Sequence, residues 1–225
     1  MTGAVIVAAG QGVRLGAGVP KGLRPLAGRP LYVYSLEAVR ACPWIEAVVL
    51  VVPADHLDSV ASAGQSGLFH ESVRVVSGGD SRQQSVLFGI RALPATVDWV
   101  AVHDAARPLV TPELFAGVVR LAMEKGGAVA AHAATDTIKR CGADGAVTTL
   151  PRQELWHAET PQVFARQKLK AALEECERCG LVVTDESEAM ERSGAHFALY
   201  PNPEPNPKIN TEADWHWVED LVQRR

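Results

Sequence analysis

No apolar run in the sequence approaches the length needed to cross a bilayer, so nothing in it reads as a membrane span. The excess of Lys and Arg that marks a nucleic-acid groove or an anionic-membrane binder is also missing: 22 basic residues stand against 26 acidic ones, a formal net charge of -4. Cysteine is scarce and scattered, at Cys42, Cys141, Cys176 and Cys179, which argues against a disulfide framework and for a reducing cytoplasm. The apolar opening from Ala4 to Ala9 is short, lacks a preceding basic side chain and runs into glycines, unlike a secretory signal. Internal repeats and low-complexity segments are absent too. What remains is a chain of 225 residues, 47% hydrophobic, able to bury a substantial core and expected to form one domain. A small anionic ligand, held by a few local cations, stays within its reach.

Val-rich apolar runs suited to buried parallel strands recur at Ala4 to Ala8, Ala47 to Val52, Val73 to Val76, Trp99 to Val102 and Ala128 to Ala131. Helix-like stretches separate them at Pro30 to Ala41, Ser81 to Leu93 and Pro112 to Lys125, with Pro30 and Pro112 placed as in a helix's first turn. This alternation predicts a doubly wound α/β sheet. The rhythm then breaks: Thr137 to Arg140 and Ala146 to Leu150 flank a Gly-Ala-Asp-Gly turn, which predicts a projecting β-hairpin arm. Helices are expected over Gln167 to Arg178 and from Thr211 through Val222, the last preceded by the Pro-rich loop Pro201 to Pro207.

The strongest local signal follows the first strand: Ala8-Ala9-Gly10-Gln11-Gly12-Val13-Arg14, then Pro20-Lys21. Glycines let a backbone turn sharply and aim N–H groups at phosphate oxygens, while Arg14 and Lys21 supply countercharge. Leu15 occupies the place of the third glycine of a dinucleotide fingerprint, and Lys21-Gly22 reverses the order a P-loop needs. The second strand closes on Val51-Val52-Pro53 without the acid a dinucleotide ribose would require, which disfavours a nicotinamide-dependent dehydrogenase. An ordinary Gly-rich turn with two surface cations is the competing reading.

With Gly-x-Gly-x-Arg followed by Pro-Lys, the chain resembles the nucleotidyltransferases, and more narrowly the methylerythritol phosphate cytidylyltransferase family. Gly78-Gly79-Asp80-Ser81-Arg82-Gln83-Gln84-Ser85-Val86 is similar to that family's second nucleotide segment. It implies base and ribose contacts near Gly79, Asp80 and Ser85, although capping of the next helix alone would account for Asp80 or Ser81. His103-Asp104-Ala105-Ala106-Arg107-Pro108 falls at the carboxyl end of the fourth strand, where open α/β sheets place their chemistry. Asp104 is the candidate ligand for Mg²⁺, a cation that takes few carboxylates and completes its shell with phosphates and water. Arg107 could hold acceptor or arm, or form a plain salt bridge, and His103 reads as a packing residue.

Asp136-Thr137-Ile138-Lys139-Arg140 and the stretch Arg152 to Gln162 resemble the family's arm and the segment returning from it. The resemblance implies that Thr137, Arg152 and Thr160 bind the acceptor's phosphate, that Asp104, Arg107 and Thr184 also bind substrate, and that Lys208 is a late phosphate-binding lysine. It also implies a homodimer in which each arm, residues 136–160, reaches into its neighbour. Gly22, Val7, Pro207 and Asn210 depart from the family's usual residues, and none of these departures removes a charge.

The expectation is thus a single Rossmann-like α/β domain over residues 1–225, with a mostly parallel sheet and a projecting arm. Its implied substrates are CTP and a phosphorylated polyol, 2-C-methyl-D-erythritol 4-phosphate, with Arg14, Lys21 and Lys208 catalytic and Ala8, Ala9, Gly10 and Gly12 around the nucleotide. Neither nucleic acid nor membrane is an expected partner. Ribitol 5-phosphate is the rival acceptor, and a non-catalytic nucleotide-binding regulator the rival class. The latter would not need Lys21, Asp104 and Lys208 together. Cys176-x-x-Cys179 falls late in a helix, away from the N-terminal position that activates thiolates.

Overall fold

The computed structural model describes residues 1–10 and 18–224. Strand β1 (Thr2–Val7) is buried on both faces: Ala4 and Ile6 pack into one hydrophobic layer and Val5 into the other. This period-two division, with apolar side chains on both sides, is why the strand reads as a continuous Val-rich run. A short hairpin of β2 (Pro25–Leu26) and β3 (Arg29–Pro30) leads into α1 (Leu31–Ala41). There follow β4 (Ala47–Val52), α2 (Leu57–Gln65), β5 (Val73–Ser77), α3 (Arg82–Ala92), β6 (Trp99–Asp104), α4 (Pro112–Lys125) and β7 (Gly127–Ala133). The remainder comprises β8 (Lys139–Cys141), β9 (Val147–Thr149), β10 (Trp156–Ala165), α5 (Arg166–Arg178), α6 (Glu186–Arg192), β11 (Ala198–Pro201) and α7 (Glu212–Gln223).

Seven strands form one sheet in the order β11-β7-β10-β6-β1-β4-β5. β1 is parallel to β4 and β6, β4 to β5, and β7 to β11, while β10 runs antiparallel between β6 and β7. The mostly parallel α/β sheet expected from the sequence is what forms. One core layer carries α1 and α4 side chains such as Tyr32, Leu36, Phe115 and Val119, and the other carries Leu87 and Ile90 of α3 with Leu169 and Leu173 of α5. The expected helices form within a residue or two of their sequence limits, with local caps to explain the ends. Ser81 caps α3 and Thr111 caps α4, each accepting a backbone N–H three residues on, and Gly126 closes α4 in the left-handed region at φ 88°. Pro112 sits in the first turn of α4 as expected, whereas Pro30 stands one step outside α1, at its N-cap.

Among the described residues β8 and β9 pair only with each other, in the register Lys139 with Thr149. Every residue from Arg140 to Thr149 is exposed, so the hairpin stands away from the core of its own chain.

Candidate active site

The parallel strands β1, β4, β5 and β6 end at one edge of the sheet, and the loops leaving them enclose a cleft of about 490 Å³. Ligand clefts in open α/β sheets form there because adjacent strand ends diverge into separate loops. The walls are Val7 to Gly10 from β1, Pro53 to Asp55 from β4, Gly78 to Arg82 with Ser85 from β5 and α3, and Asp104 to Ala106 from β6; Lys21, Gly22 and Lys208 complete them.

Close backbone approach shapes two of these walls. A Cβ on Gly78 would lie 2.5 Å from the Ala9 Cβ and 2.8 Å from Ser85 Oγ, so only glycine lets the first and second nucleotide segments meet. A Cβ on Gly22 would lie 2.7 Å from the Ala8 carbonyl oxygen, which gives the departure from the family's residue a physical reason: the turn carrying Lys21 rests directly on the first loop. Ser85 Oγ accepts the Gly79 N–H at 3.1 Å and donates to the Ser81 carbonyl at 2.9 Å, while the Asp80 N–H bonds Gln84 Oε1 at 3.0 Å. The Asp80 side chain is therefore not the helix cap, a role Ser81 takes.

Asp104 is the electrostatic centre. Arg82 Nε donates to its Oδ1 at 3.0 Å and Lys208 Nζ to its Oδ2 at 2.5 Å. Burial opposes ionisation here, but the Arg82 guanidinium and the Lys208 ammonium outweigh it and hold the carboxyl well below the usual carboxylate range. Behind it, the Asp104 N–H donates to Thr160 Oγ1 at 3.1 Å, and Thr160 Oγ1 lies 2.9 Å from His103 Nδ1. His103 Nε2 faces the Arg107 carbonyl at 3.3 Å. A carbonyl can only accept, so the proton belongs on Nε2, and Nδ1 accepts from the Thr160 hydroxyl. Burial drives the His103 imidazole down to about 4, which keeps it neutral. His103 is thus the packing residue its sequence context suggested.

The other candidates divide between this cleft and its surroundings. Ala8, Ala9, Gly10, Lys21, Gly79, Asp80, Ser85, Asp104 and Lys208 converge on the cleft. Lys21 Nζ donates to the Ile209 carbonyl at 2.7 Å, next to Lys208, so both lysines meet the same loop. Arg107 lines a second cleft of about 530 Å³, which shares Lys208 with the first. Its Nη1 donates to the Asn206 carbonyl at 2.6 Å. Thr160 is buried behind Asp104, Thr184 bonds Glu188 through both its N–H and its hydroxyl, and Thr137 and Arg152 lie on the arm. Arg152 Nη1 donates to the Thr135 carbonyl at 2.8 Å. Gly12 and Arg14 lie outside the described residues.

Sequence reasoning passed over Arg82 and Glu186. Arg82 Nη1 and Nη2 form a paired contact with Glu186 Oε1 and Oε2 at 2.8 and 3.0 Å, alongside the Nε contact to Asp104. Arg82 falls inside the Gly78 to Val86 segment and Glu186 two residues after Thr184, and each reads as an ordinary charge until the fold brings them together.

The site also bears on a divalent cation. Among the described residues no group of three or more His, Cys, Asp or Glu side chains could hold a metal unaided. One ionised carboxylate beside Lys208 in a glycine-lined cleft does fit a hard cation that draws most of its ligands from substrate oxygens and water.

A doubly wound sheet whose glycine-lined cleft gathers Lys21, Lys208 and the carboxylate of Asp104 has the arrangement of a nucleotidyltransferase. The family described as IspD, 2-C-methyl-D-erythritol 4-phosphate cytidylyltransferase, matches residues 2–224, and the chain belongs to it. A relative of that name from Xylella fastidiosa (strain M23) is 43% identical over 99% of this chain and 97% of its own. Another from Stenotrophomonas maltophilia (strain R551-3) is 38% identical over 98% and 96%. Among solved structures, 2-C-methyl-D-erythritol 4-phosphate cytidylyltransferase from Thermus thermophilus superposes with a TM-score of 0.79 at 27% identity, covering 99% of this chain and all of that one. The 4-diphosphocytidyl-2C-methyl-D-erythritol synthase from Anaerococcus prevotii gives 0.87 at 25%, over 99% and 96%. The family's reaction is CTP-dependent: it joins a cytidylyl group to 2-C-methyl-D-erythritol 4-phosphate in isoprenoid precursor biosynthesis.

Proposed function

We propose that this chain performs that transfer with a division of labour set by the cleft. The observation that carries the reading is the ionised Asp104, held between Arg82 and Lys208 at the end of β6 and facing the glycine-lined loops. An acceptor phosphate oxygen attacks the α-phosphorus of CTP, the bond from that phosphorus to the α,β-bridging oxygen breaks, and pyrophosphate leaves with the electron pair. The nucleophile is already an anion, so no base is needed, and the protein's contribution is electrostatic and positional.

Ala8, Ala9 and Gly10, continued by Gly12 and Arg14, receive the triphosphate together with Lys21. Gly79, Asp80 and Ser85 form the base and ribose side. Lys208, shared by the two clefts, sits between donor and acceptor and meets the charge that grows on the α-phosphoryl oxygens. Asp104 is the protein ligand for Mg²⁺, which when bound neutralises phosphate charge. Thr160 and Arg107 shape the acceptor side of Asp104, and Thr184 lies at its margin. Thr137 and Arg152, outside both clefts of their own chain, serve the acceptor phosphate of a second copy through arm exchange in a homodimer. The four cysteines are all free, which supports a reducing cytoplasm as the enzyme's setting. Among the described residues no helix is long and apolar enough to cross a membrane.

The test is pyrophosphate release from CTP and Mg²⁺ with 2-C-methyl-D-erythritol 4-phosphate or ribitol 5-phosphate as acceptor. Turnover with the first alone is expected. Turnover with ribitol 5-phosphate alone would keep the chemistry and overturn the acceptor, and folded protein inactive with both would overturn the reading.

A further inference from the structure

Arg82 contacts two carboxylates in different ways. Its outer nitrogens grip Glu186 as a fork, and its Nε meets only one oxygen of Asp104. Glu186 is 1% exposed, does not line the nucleotide cleft and has no contact with Asp104 of its own. Nothing in the transfer reaction calls on it. A buried carboxylate at that place costs desolvation free energy, and burial indeed pushes Glu186 up despite the guanidinium beside it. Such a charge is explicable if it orients the group it pairs with.

We infer that Arg82 and Glu186 are a positioning pair for Asp104. The inference rests on the reading of the cleft given above. Glu186 fixes the guanidinium plane from the first turn of α6, and the fixed Nε pins Asp104 Oδ1 against the first turn of α3. Oδ2, the oxygen that Arg82 does not hold, is then the one that Lys208 meets and that a divalent cation would share with it. A lysine at position 82 would keep the charge and lose the fork, because an ammonium has no fixed plane. Charge balance supports the same arrangement: Asp104 and Glu186 offset Arg82 and Lys208, so the pair adds no net repulsion toward a polyanionic nucleotide. Residues that orient a metal-ligating side chain typically change metal affinity by about 10- to 100-fold when replaced, without touching the ion.

The experiment measures Mn²⁺ affinity by electron paramagnetic resonance with CTP present and acceptor absent, alongside kcat and KM for CTP. Glu186→Gln and Arg82→Lys are each expected to weaken Mn²⁺ binding about 10-fold and to lower kcat at low cation concentration. KM for CTP should not rise, saturating cation should restore much of kcat, and the double variant should be no worse than the poorer single. A merely structural role would not respond to cation concentration. Asp104→Asn separates the two levels of the argument. If it abolishes Mn²⁺ binding while folded Glu186→Gln and Arg82→Lys bind like the parent, the positioning inference is wrong and the cleft reading stands. If Asp104→Asn binds Mn²⁺ normally, both fall. Should Glu186→Gln fail to fold, Arg82→Lys decides alone.

Discussion

Lys21 reaches the short loop that carries Lys208: its Nζ donates to the Ile209 carbonyl, while Lys208 Nζ donates to Asp104. Neither ammonium belongs to the hydrophobic core, so replacing either should spare the fold and remove charge where the transition state gathers it. Lys21→Ala and Lys208→Ala are each expected to lose on the order of 100-fold or more in kcat, with the melting temperature unchanged in the first and lowered in the second, which leaves the buried Asp104 with one cation fewer. Near-parental turnover in either variant would remove that lysine from the mechanism. His103 carries a different kind of prediction. Its folded-state pKa is depressed from 6.5 to about 4, so between those values the unfolded chain takes up the proton first. Stability should be complete above about pH 6.5 and decline as pH falls toward 4, by up to about 3 kcal/mol. Asp104, depressed from 3.8, contributes in a lower window: its share is present above that value and lost below it. Urea unfolding of the metal-free protein from about pH 2 to 8 tests this, and His103→Gln should flatten the upper part of the curve while leaving the acid limb.

At the scale of elements, α7 braces the turn that carries Lys21 rather than contributing to the cleft. Arg24, just after the turn that carries Lys21, reaches Glu212 with both outer nitrogens and lies 4.3 Å over the Trp215 ring, and the Ala27 N–H donates to Glu219. The helix starts with a complete capping box between Thr211 and Asp214. Thr211→Ala should cost about 1 kcal/mol in chemical unfolding, and an unchanged midpoint would show that the brace does not depend on the cap. The same comparison shows what a sequence makes visible. Thr211, Ser81 and Thr111 announce helices because caps and apolar periodicity are local signals, and β4 was legible to the residue because both faces are apolar. β10 was not. It begins at exposed Trp156, contains Pro161, and shifts register between Ala158 and Gln162, where a bulge accommodates what would otherwise argue against a central strand. α2, α6 and β11 are short, and β11 gains its place only by pairing with β7, far back along the chain. In the site, glycines and lysines were legible from their order along one loop, whereas the Arg82 to Glu186 contact spans 104 residues and exists only once α3 and α6 pack.

At the scale of the molecule, the arm poses a problem of connectivity: residues proposed for the acceptor phosphate stand outside both clefts of their own chain. The proposed arm exchange between two copies would resolve it, and a closed twofold dimer makes the consequence quantitative. Arg152→Ala should damage every site that borrows that arm, and Lys208→Ala every site built on that cleft, so each homodimer is inactive. In a mixed dimer, the intact cleft of the Arg152→Ala subunit receives the intact arm of the Lys208→Ala subunit. Random reassortment makes half the dimers mixed, each with one sound site of two, so mixing equal amounts should restore about a quarter of parental activity. An arm serving its own chain would leave the mixture inactive, since neither subunit then holds both groups. Sedimentation of the mixture, run beside the assay, shows whether subunits have exchanged, so a silent mixture of reassorted dimers would reject arm exchange outright.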